Sequence, residues 1–218
     1  VTITGGKVEA SDNLTAIYWP QNGKLTITGG EIKGHSAVYI ASGSLEITGG
    51  KLHGVGANGS YEGVTGGSAY TPGEALTIEN VGGNSGYEEI SSVVISGGEF
   101  ISDYTKAVGS YANTTQNPEA KPVAGFISGG TFSSALEASY CAEGYGPYAF
   151  EDGTFGVESL NVDDITIVDG AEDEFVNQNE KTVGTLTYTR SFSDEMTGTW
   201  QTLFVPFEIP VSELTAKG

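Results

Sequence analysis

The sequence has very few basic residues, histidines and cysteines. Nine Lys and Arg residues stand against 28 Asp and Glu residues, so the formal net charge at pH 7 is −19. A chain of this charge is repelled by the phosphate backbone of nucleic acids and by anionic membrane surfaces. A single cysteine, Cys141, excludes internal disulfides and cysteine-ligated metal clusters. The two histidines, His35 and His53, are too few for a multi-histidine zinc site.

Long apolar runs and helical patterns are missing as well. No stretch approaches the roughly 18 apolar residues that a transmembrane helix requires. No window of about a dozen residues repeats its apolar positions with a helical period. With 38% hydrophobic and 17% charged residues, the chain is nevertheless too apolar and too weakly charged to be disordered. Its 218 residues suffice for a sizeable core in one or two domains.

Glycine is abundant, with 33 residues in the chain, about twice the usual fraction. Many of these glycines belong to a repeated motif of the form apolar-x-Ile-[Thr/Ser]-Gly-Gly-x-apolar. Its intact copies are VTITGGKV (1–8), LTITGGEI (25–32), LEITGGKL (45–52), VVISGGEF (93–100) and GFISGGTF (125–132). The first glycines of these copies are 24, 20, 48 and 32 residues apart. We interpret LTIENVGG (76–83) and ITIVDG (165–170) as degenerate copies.

The alternation within each copy predicts short strands that stack on one another. In the second copy, Leu25 and Ile27 point to one face of a strand and the threonines between them point to the other. The Gly29-Gly30 pair then allows a tight turn. No single copy can bury its apolar face alone, so repeats at about 20 residues predict stacked coils. The column of isoleucines expected in the core is Ile3, Ile27, Ile47, Ile95 and Ile127.

A second repeated strand lies between the glycine pairs. Ala16-Ile17-Tyr18-Trp19 matches Ala37-Val38-Tyr39-Ile40, which follows 21 residues later, and Ala107-Val108 is a further example. Two strands in each segment of about 20 residues favour an all-β parallel β-helix, or solenoid. An antiparallel β-sandwich is the alternative, but it does not predict one motif that returns at this spacing.

The pattern changes near residue 170. Residues 1–170 carry the repeats, with inserted loops predicted near 54–75 and 103–122. Asp152-Gly153, between two strand-like runs, predicts a hairpin turn. Residues 171–218 lack the Gly-Gly motif and alternate like strands, so they are predicted to form a C-terminal β-rich cap or the start of a following β module. The aromatic residues expected to cover the last coils are Trp200, Phe204 and Phe207.

Several motifs together carry a resemblance to a known family. They are the ITGG and ISGG repeats, GVGANGSYEG (54–63), ISGGTFS (127–133), YCAEGY (140–145), EDGTFGV (151–157), TYTRSF (187–192) and WQTLFVPFEIP (200–210). In these motifs the chain resembles the right-handed parallel β-helix modules of cell-surface or secreted proteins from bacteria such as gut Bacteroidales and Firmicutes. The resemblance implies the right-handed sense of the helix and an extracellular or cell-surface location. It also implies relatives among β-helix carbohydrate-binding proteins and, more distantly, polysaccharide lyases and pectinases.

Aromatic side chains are the candidate ligand-binding residues. Tyr18 and Tyr39 occupy matching positions, and if Ile17 and Val38 point inward, alternation sends both rings outward. A rigid ring offers a flat apolar face and a polar tip to a sugar. Tyr61, in the adjoining insert, would extend that surface. The alternative is a ladder of rings that merely cover one another.

Catalytic and metal-binding residues are harder to assign. A lyase requires a base beside clustered acids, whereas the nine basic residues are scattered along the chain. The adjacent Asp163 and Asp164 would point to opposite faces of a strand and so do not converge. From Pro122 to Glu180 there are acids and no basic residue, and Ca²⁺ prefers such oxygen ligands. A solvated acidic face explains that segment more simply, so no cofactor is required, although the segment could supply ligands for Ca²⁺.

The sequence therefore predicts a non-catalytic, adhesin-like extracellular bacterial module. It is expected to be a monomer that presents a rigid β-helix face to a carbohydrate or a host surface protein, without nucleic-acid partners or membrane insertion of this segment. A polysaccharide-active enzyme, either a lyase or a glycoside hydrolase, is the first alternative, and a structural stalk spacer is the second. Aligned exposed aromatics would favour binding, a cleft of clustered acids and bases would favour the enzyme, and a featureless polar face would favour the spacer.

Overall fold

The computed structural model describes residues 1–57, 72–81, 88–114, 117–168 and 179–189. This part of the chain is all-β, as predicted, with a single short 3₁₀ turn at Ala138–Tyr140. Its strands are β1 (Thr2–Glu9), β2 (Ile17–Trp19), β3 (Lys24–Gly34), β4 (Val38–Ile40), β5 (Gly43–Ile47), β6 (Lys51–Gly54), β7 (Leu76–Asn80), β8 (Ile90–Ser102), β9 (Val108–Ala112), β10 (Ile127–Phe132), β11 (Tyr145–Ala149), β12 (Phe155–Ser159), β13 (Asn161–Val168) and β14 (Thr182–Thr189).

These strands form two larger sheets and one strand pair. The first sheet has eight strands in the order β1-β3-β5-β8-β10-β12-β11, with β6 beside β3 and β8. The second has four strands in the order β2-β4-β7-β9, and β13 pairs with β14. Strands β1 to β10 pair with one another in parallel, and the pairs that involve β12 are antiparallel. From β1 to β10 the chain passes repeatedly between the two larger sheets, and buried residues of both sheets form one core.

The isoleucines of the Gly-Gly motif line up across the first sheet, as predicted. Ile3 lies opposite Ile27, which in turn lies opposite Ile47. The column continues from Ile47 to Ile95 and from there to Ile127. The last four are fully buried, and Ile3, on the edge strand β1, is partly buried. Each fully buried isoleucine contributes about 1.5–3 kcal/mol of hydrophobic stabilisation.

The second sheet aligns the strands that lie between the glycine pairs. Val38 of β4 lies opposite Ile17 of β2 on one side and Leu76 of β7 on the other. The interpretation of 76–83 as a degenerate Gly-Gly copy is therefore wrong, because β7 belongs to the second sheet. An alanine precedes the matching residue in each strand of this sheet, at Ala16, Ala37, Ala75 and Ala107. In the sequence, the strands of the second sheet are therefore recognised by this alanine and not by a glycine pair.

The two strands that follow β10 depart from the parallel pattern. Strands β11 and β12 form an antiparallel hairpin around Asp152-Gly153, which confirms the predicted turn. Phe155 of β12 then pairs with Phe132 of β10. The interpretation of 165–170 as a last Gly-Gly copy is wrong, because β13 pairs in parallel with β14 in a separate sheet.

The predicted loops and cap fall partly outside the described residues. Strand β9 lies inside the range 103–122 and pairs with β7. Strand β14 lies inside the range 171–218 that was predicted as a cap. Most of the predicted insert near 54–75 and the cap residues Trp200, Phe204 and Phe207 lie outside the described part of the chain.

The glycine pairs are required where one motif copy packs against the copy before it in the sheet. A Cβ atom on Gly49 would lie 2.6 Å from the Thr28 carbonyl oxygen, closer than real contacts allow. Gly50, which follows, adopts φ +94°, in the left-handed region that glycine enters without steric cost. The sheet therefore admits no side chain at Gly49 and disfavours one at Gly50.

Candidate functional site

A shallow groove of about 360 Å³ lies at the tip of the β11–β12 hairpin. Four of the residues that line it come from the turn between these strands, and the fifth lies on the neighbouring strand β10. The lining residues are Thr131, Phe150, Glu151, Asp152 and Thr154.

Hydrogen bonds hold the hairpin turn in one conformation. The Phe150 amide donates to the Thr154 carbonyl at 2.8 Å, and the Gly153 amide donates to the Phe150 carbonyl at 3.1 Å. The Asp152 carboxylate accepts bonds from the Thr154 amide at 2.9 Å and from the Thr154 hydroxyl at 2.6 Å. An aspartate that bonds the backbone two residues ahead is a common way to close a turn. The same bonds hold the pKa of Asp152 below its ordinary value, so this carboxylate stays charged.

The Phe150 ring is fixed beside this turn and remains 37% exposed. It lies over Gly156, where a Cβ atom would approach the ring to 2.7 Å. Tyr148 packs edge-on against it, with ring centroids 5.1 Å apart and an interplanar angle of 67°. Gly156 therefore provides the space that the ring occupies, and Tyr148 limits its movement.

The groove combines chemical groups that suit a ligand with both hydroxyl groups and an apolar face. The Phe150 ring supplies a flat apolar surface. The carboxylates of Glu151 and Asp152 accept hydrogen bonds, and the hydroxyls of Thr131 and Thr154 both donate and accept them. None of the five lining residues is basic.

The structure brings together two of the three predicted ligand-binding tyrosines. Tyr18 and Tyr39 pair in register, with ring centroids 5.0 Å apart and ring planes inclined by 39°. The predicted surface position is wrong for Tyr39, which is only 4% exposed because it packs with Ala41 and Val81. Tyr18 is partly buried against the same cluster. The assignment of the two rings to a ligand stays a prediction, and Tyr61 lies outside the described residues.

Sequence reasoning missed Phe150 and Thr131. The turn at Asp152-Gly153 was visible in the sequence, and an aromatic residue two positions before it was the available signal. Thr131 had no such signal, because it reaches the groove only through the pairing of β12 with β10.

A second polar cluster lies inside the fold, just before β7. Glu74 has no exposed surface, and its carboxylate accepts hydrogen bonds from the Tyr111 hydroxyl and, at 2.9 Å, from the Thr77 hydroxyl. It packs against Gly109, where any Cβ atom would overlap the carboxylate. Burial raises the pKa of Glu74 to about 7, although the hydrogen bonds from Tyr111 and Thr77 oppose this effect.

Lys106 links the buried cluster to the surface. Its amine donates to Glu137 at 3.3 Å and to the Tyr140 hydroxyl at 3.4 Å, and lies 4.9 Å from the centre of the Tyr111 ring. Burial alone would lower the pKa of Lys106, but its interactions with Tyr140 and Glu74 outweigh this and raise it. Burial, followed by the nearby Glu74, also raises the pKa of Tyr111. Lys106 therefore stays protonated and Tyr111 stays neutral at pH 7.

The described residues offer no other evident centre of chemistry. Among them, no three His, Cys, Asp or Glu side chains converge so that they could hold a metal ion. No helix in the same residues has the length and apolarity that crossing a membrane demands. Comparison of the chain with models of protein families, with curated proteins and with solved structures found no match.

Proposed function

We propose that this chain is a non-catalytic carbohydrate-binding module of a bacterial cell-surface or secreted protein, and that the hairpin groove is its glycan site. The observation that carries the proposal is the Phe150 ring, fixed and partly exposed beside two carboxylates and two threonine hydroxyls. A sugar ring has an apolar face that stacks on an aromatic ring and an edge of hydroxyls that require hydrogen-bonding partners. The groove supplies both kinds of partner.

Preorganisation supports this assignment. The turn is already closed by the bonds between Asp152 and Thr154, and the Phe150 ring already rests on Gly156. Ordering these groups on binding therefore costs little conformational entropy. A module that holds a glycan by a few contacts depends on this saving, because a shallow groove buries little of its ligand.

The proposed glycan site lies on a right-handed parallel β-helix. The two larger parallel sheets are faces of a right-handed parallel β-helix, and the chain winds from one face to the other in each coil. Two facts support this. From β1 to β10 the chain passes repeatedly between the two sheets, with β5 and β6 the one consecutive pair of described strands in the same sheet, and about 98% of connections between parallel strands of one sheet are right-handed. A crystal structure in which these connections wind to the left would overturn it.

The extracellular or cell-surface location and the monomeric state are parts of the same proposal. The location rests on the resemblance of the repeats to bacterial surface modules. The net charge of −19 suits a protein that remains dissolved and dispersed in an open medium.

The test is a glycan array followed by titration calorimetry with Phe150→Ala. Truncation of a central aromatic anchor typically costs about 2 kcal/mol or more, so we expect the affinity for any glycan that the native chain binds to fall at least about tenfold. The matched control is Tyr104→Ala, which removes a ring that is 67% exposed on another loop. Equal affinity of native chain and Phe150→Ala, with both folded, would contradict the assignment of the groove.

A parallel assay separates the alternative functions. Each polymer on the array is incubated with the native chain and examined for new reducing ends and for loss of viscosity. Cleavage would establish the polysaccharide-active enzyme in place of the non-catalytic module. A folded chain that binds and cleaves nothing on a broad array would leave the stalk spacer as the better description.

A further inference from the structure

We infer that the hairpin groove selects glycans with free, protonated amino groups, such as oligomers of de-N-acetylated hexosamine, over neutral and anionic glycans. This inference rests on the proposed glycan-binding function and adds the ligand class. The lining of the groove contains two carboxylates, Glu151 and Asp152, and no basic residue. An anionic sugar would bring a third negative charge into the same small space, where nothing in the lining offsets it.

The charge of Asp152 is secured by the turn itself. Both bonds from Thr154 fall on the Oδ1 atom of Asp152, so the Oδ2 atom takes part in neither of them. Hydrogen bonds to the charged form favour that form, and the pKa of Asp152 is held below its ordinary value. A ligand amine therefore meets a carboxylate that is already ionised and already oriented.

The net negative charge of the whole chain adds to the negative charge of the groove. In the described part of the chain, six lysines form ion pairs with glutamates, and the net charge of −19 already includes all nine basic residues. Those paired residues are Lys7, Lys24, Lys33, Lys51, Lys106 and Lys181. A field of one sign concentrates ligands of the opposite sign near the surface and opposes the approach of polyanions.

The groups of the groove suit an amino sugar in particular. A protonated amine has three donors and no acceptor, and its bonds to carboxylates are among the strongest that side chains form. The Phe150 ring adds attraction for a cation near its face. An N-acetyl group removes the charge from the same nitrogen while the sugar ring stays the same, so the two forms make a matched pair of ligands.

The test compares three sets of oligomers of equal length by titration calorimetry at low and at moderate salt. They are glucosamine oligomers, N-acetylglucosamine oligomers and uronic-acid oligomers. We expect the first set to bind at least about tenfold more tightly than the second, as a charge-assisted bond predicts. This advantage should shrink as salt is added, and the third set should bind most weakly. Glu151→Gln should remove most of the advantage, whereas Glu119→Gln, which neutralises an exposed carboxylate elsewhere, should preserve it.

Each outcome bears on one proposal. Equal affinity for the first two sets, lost in Phe150→Ala, would overturn the selection for amines and keep the glycan site. An amine preference that survives in both Glu151→Gln and Phe150→Ala would reflect adsorption to the acidic surface, and would overturn the inference as well. If the native chain binds none of these oligomers and no glycan on the array, the proposed function itself fails. Tighter binding of uronic-acid oligomers would reverse the inferred ligand class.

Discussion

The Tyr111 hydroxyl donates a hydrogen bond to the Glu74 carboxylate at a place where Glu74 has no contact with solvent. Glu74 comes just before β7 and Tyr111 lies on β9, the next strand of the same sheet. Burial of a carboxylate disfavours its charged form, and the two hydrogen bonds that it accepts do not fully offset this cost. The folded chain therefore holds a proton on Glu74 more tightly than the unfolded chain does.

This difference predicts a pH-dependent stability. The pKa of Glu74 rises from 4.5 to about 7 on folding, so its contribution to stability is present below about pH 4.5 and is lost as the pH rises to about 7. The loss amounts to about 3 kcal/mol. Glu74→Gln keeps the size of the side chain and removes the titration. Urea unfolding between pH 4.5 and 7.5 should show that the native chain loses this stability relative to Glu74→Gln.

The comparison needs a control for the other carboxylates of the cluster and the surface. Lys106 and Glu137 remain in both proteins, so the difference between the two pH curves isolates Glu74. Glu119→Gln should give a curve parallel to that of the native chain. Parallel curves for the native chain and Glu74→Gln would show that Glu74 is already ionised in the fold.

The first glycine of the repeated motif predicts a position-dependent cost. Gly49→Ala places a Cβ atom 2.6 Å from the Thr28 carbonyl oxygen, whereas a Cβ atom on Gly5 meets nothing within 4 Å. Both glycines occupy the same motif position, but β1 is the edge strand of the first sheet in the described part of the chain. We expect Gly49→Ala to lower the free energy of unfolding by about 1–3 kcal/mol and Gly5→Ala to change it by less than about 0.5 kcal/mol. Equal losses, measured by chemical denaturation, would be inconsistent with the stacked motif copies.

The isoleucine column predicts a large cavity effect. Ile47 is fully buried between Ile27 and Ile95, so Ile47→Ala should cost about 2–5 kcal/mol of unfolding free energy. Val94→Ala is the control, because Val94 lies on the neighbouring strand and is 44% exposed. It should cost well under about 1 kcal/mol. A small effect at Ile47 in thermal or urea unfolding would mean that the column is not close-packed.

Tyr39 predicts a structural rather than a ligand-binding phenotype. Its ring is buried against Tyr18, Ala41 and Val81. Tyr39→Ala should therefore destabilise the chain by about 3 kcal/mol, while Tyr39→Phe, which keeps the ring, should leave glycan affinity unchanged. Glycan binding that is lost in a fully stable Tyr39→Ala would restore the sequence-based hypothesis of a tyrosine site.

Periodicity in the sequence was sufficient to predict the core. The motif fixed which isoleucines meet, because alternation and a glycine pair leave only one register that buries every copy. The match between Tyr18 and Tyr39 predicted their pairing for the same reason. Exposure of Tyr39 was not predictable, since it depends on which segment covers the outer face of β4. LTIENVGG was interpreted as a copy of the motif because its apolar residues alternate in the same way. In the structure its strand, β7, belongs to the second sheet and pairs with β4.

The candidate site depends on contacts that no local pattern encodes. The groove forms because β12 returns antiparallel onto β10 at Phe155 and Phe132, which brings Thr131 beside the hairpin turn. The burial of Glu74 likewise depends on Gly109, far along the chain, which leaves room for a carboxylate. Glutamate is usually a surface residue, so composition gives no hint of this arrangement.

The close contact between successive Gly-Gly pairs sets the register of the first sheet, whatever number of residues separates one pair from the next. Steps of 24, 20, 48 and 32 residues all bring an isoleucine into the same column. The register of the sheet is thus set at the glycine pairs and not by the number of residues between them. Insertions and deletions between two pairs leave the register of every later strand intact, whereas a single methyl group at a position such as Gly49 disturbs it. The connections can therefore differ in length and chemistry while the strands that support them keep the same spacing.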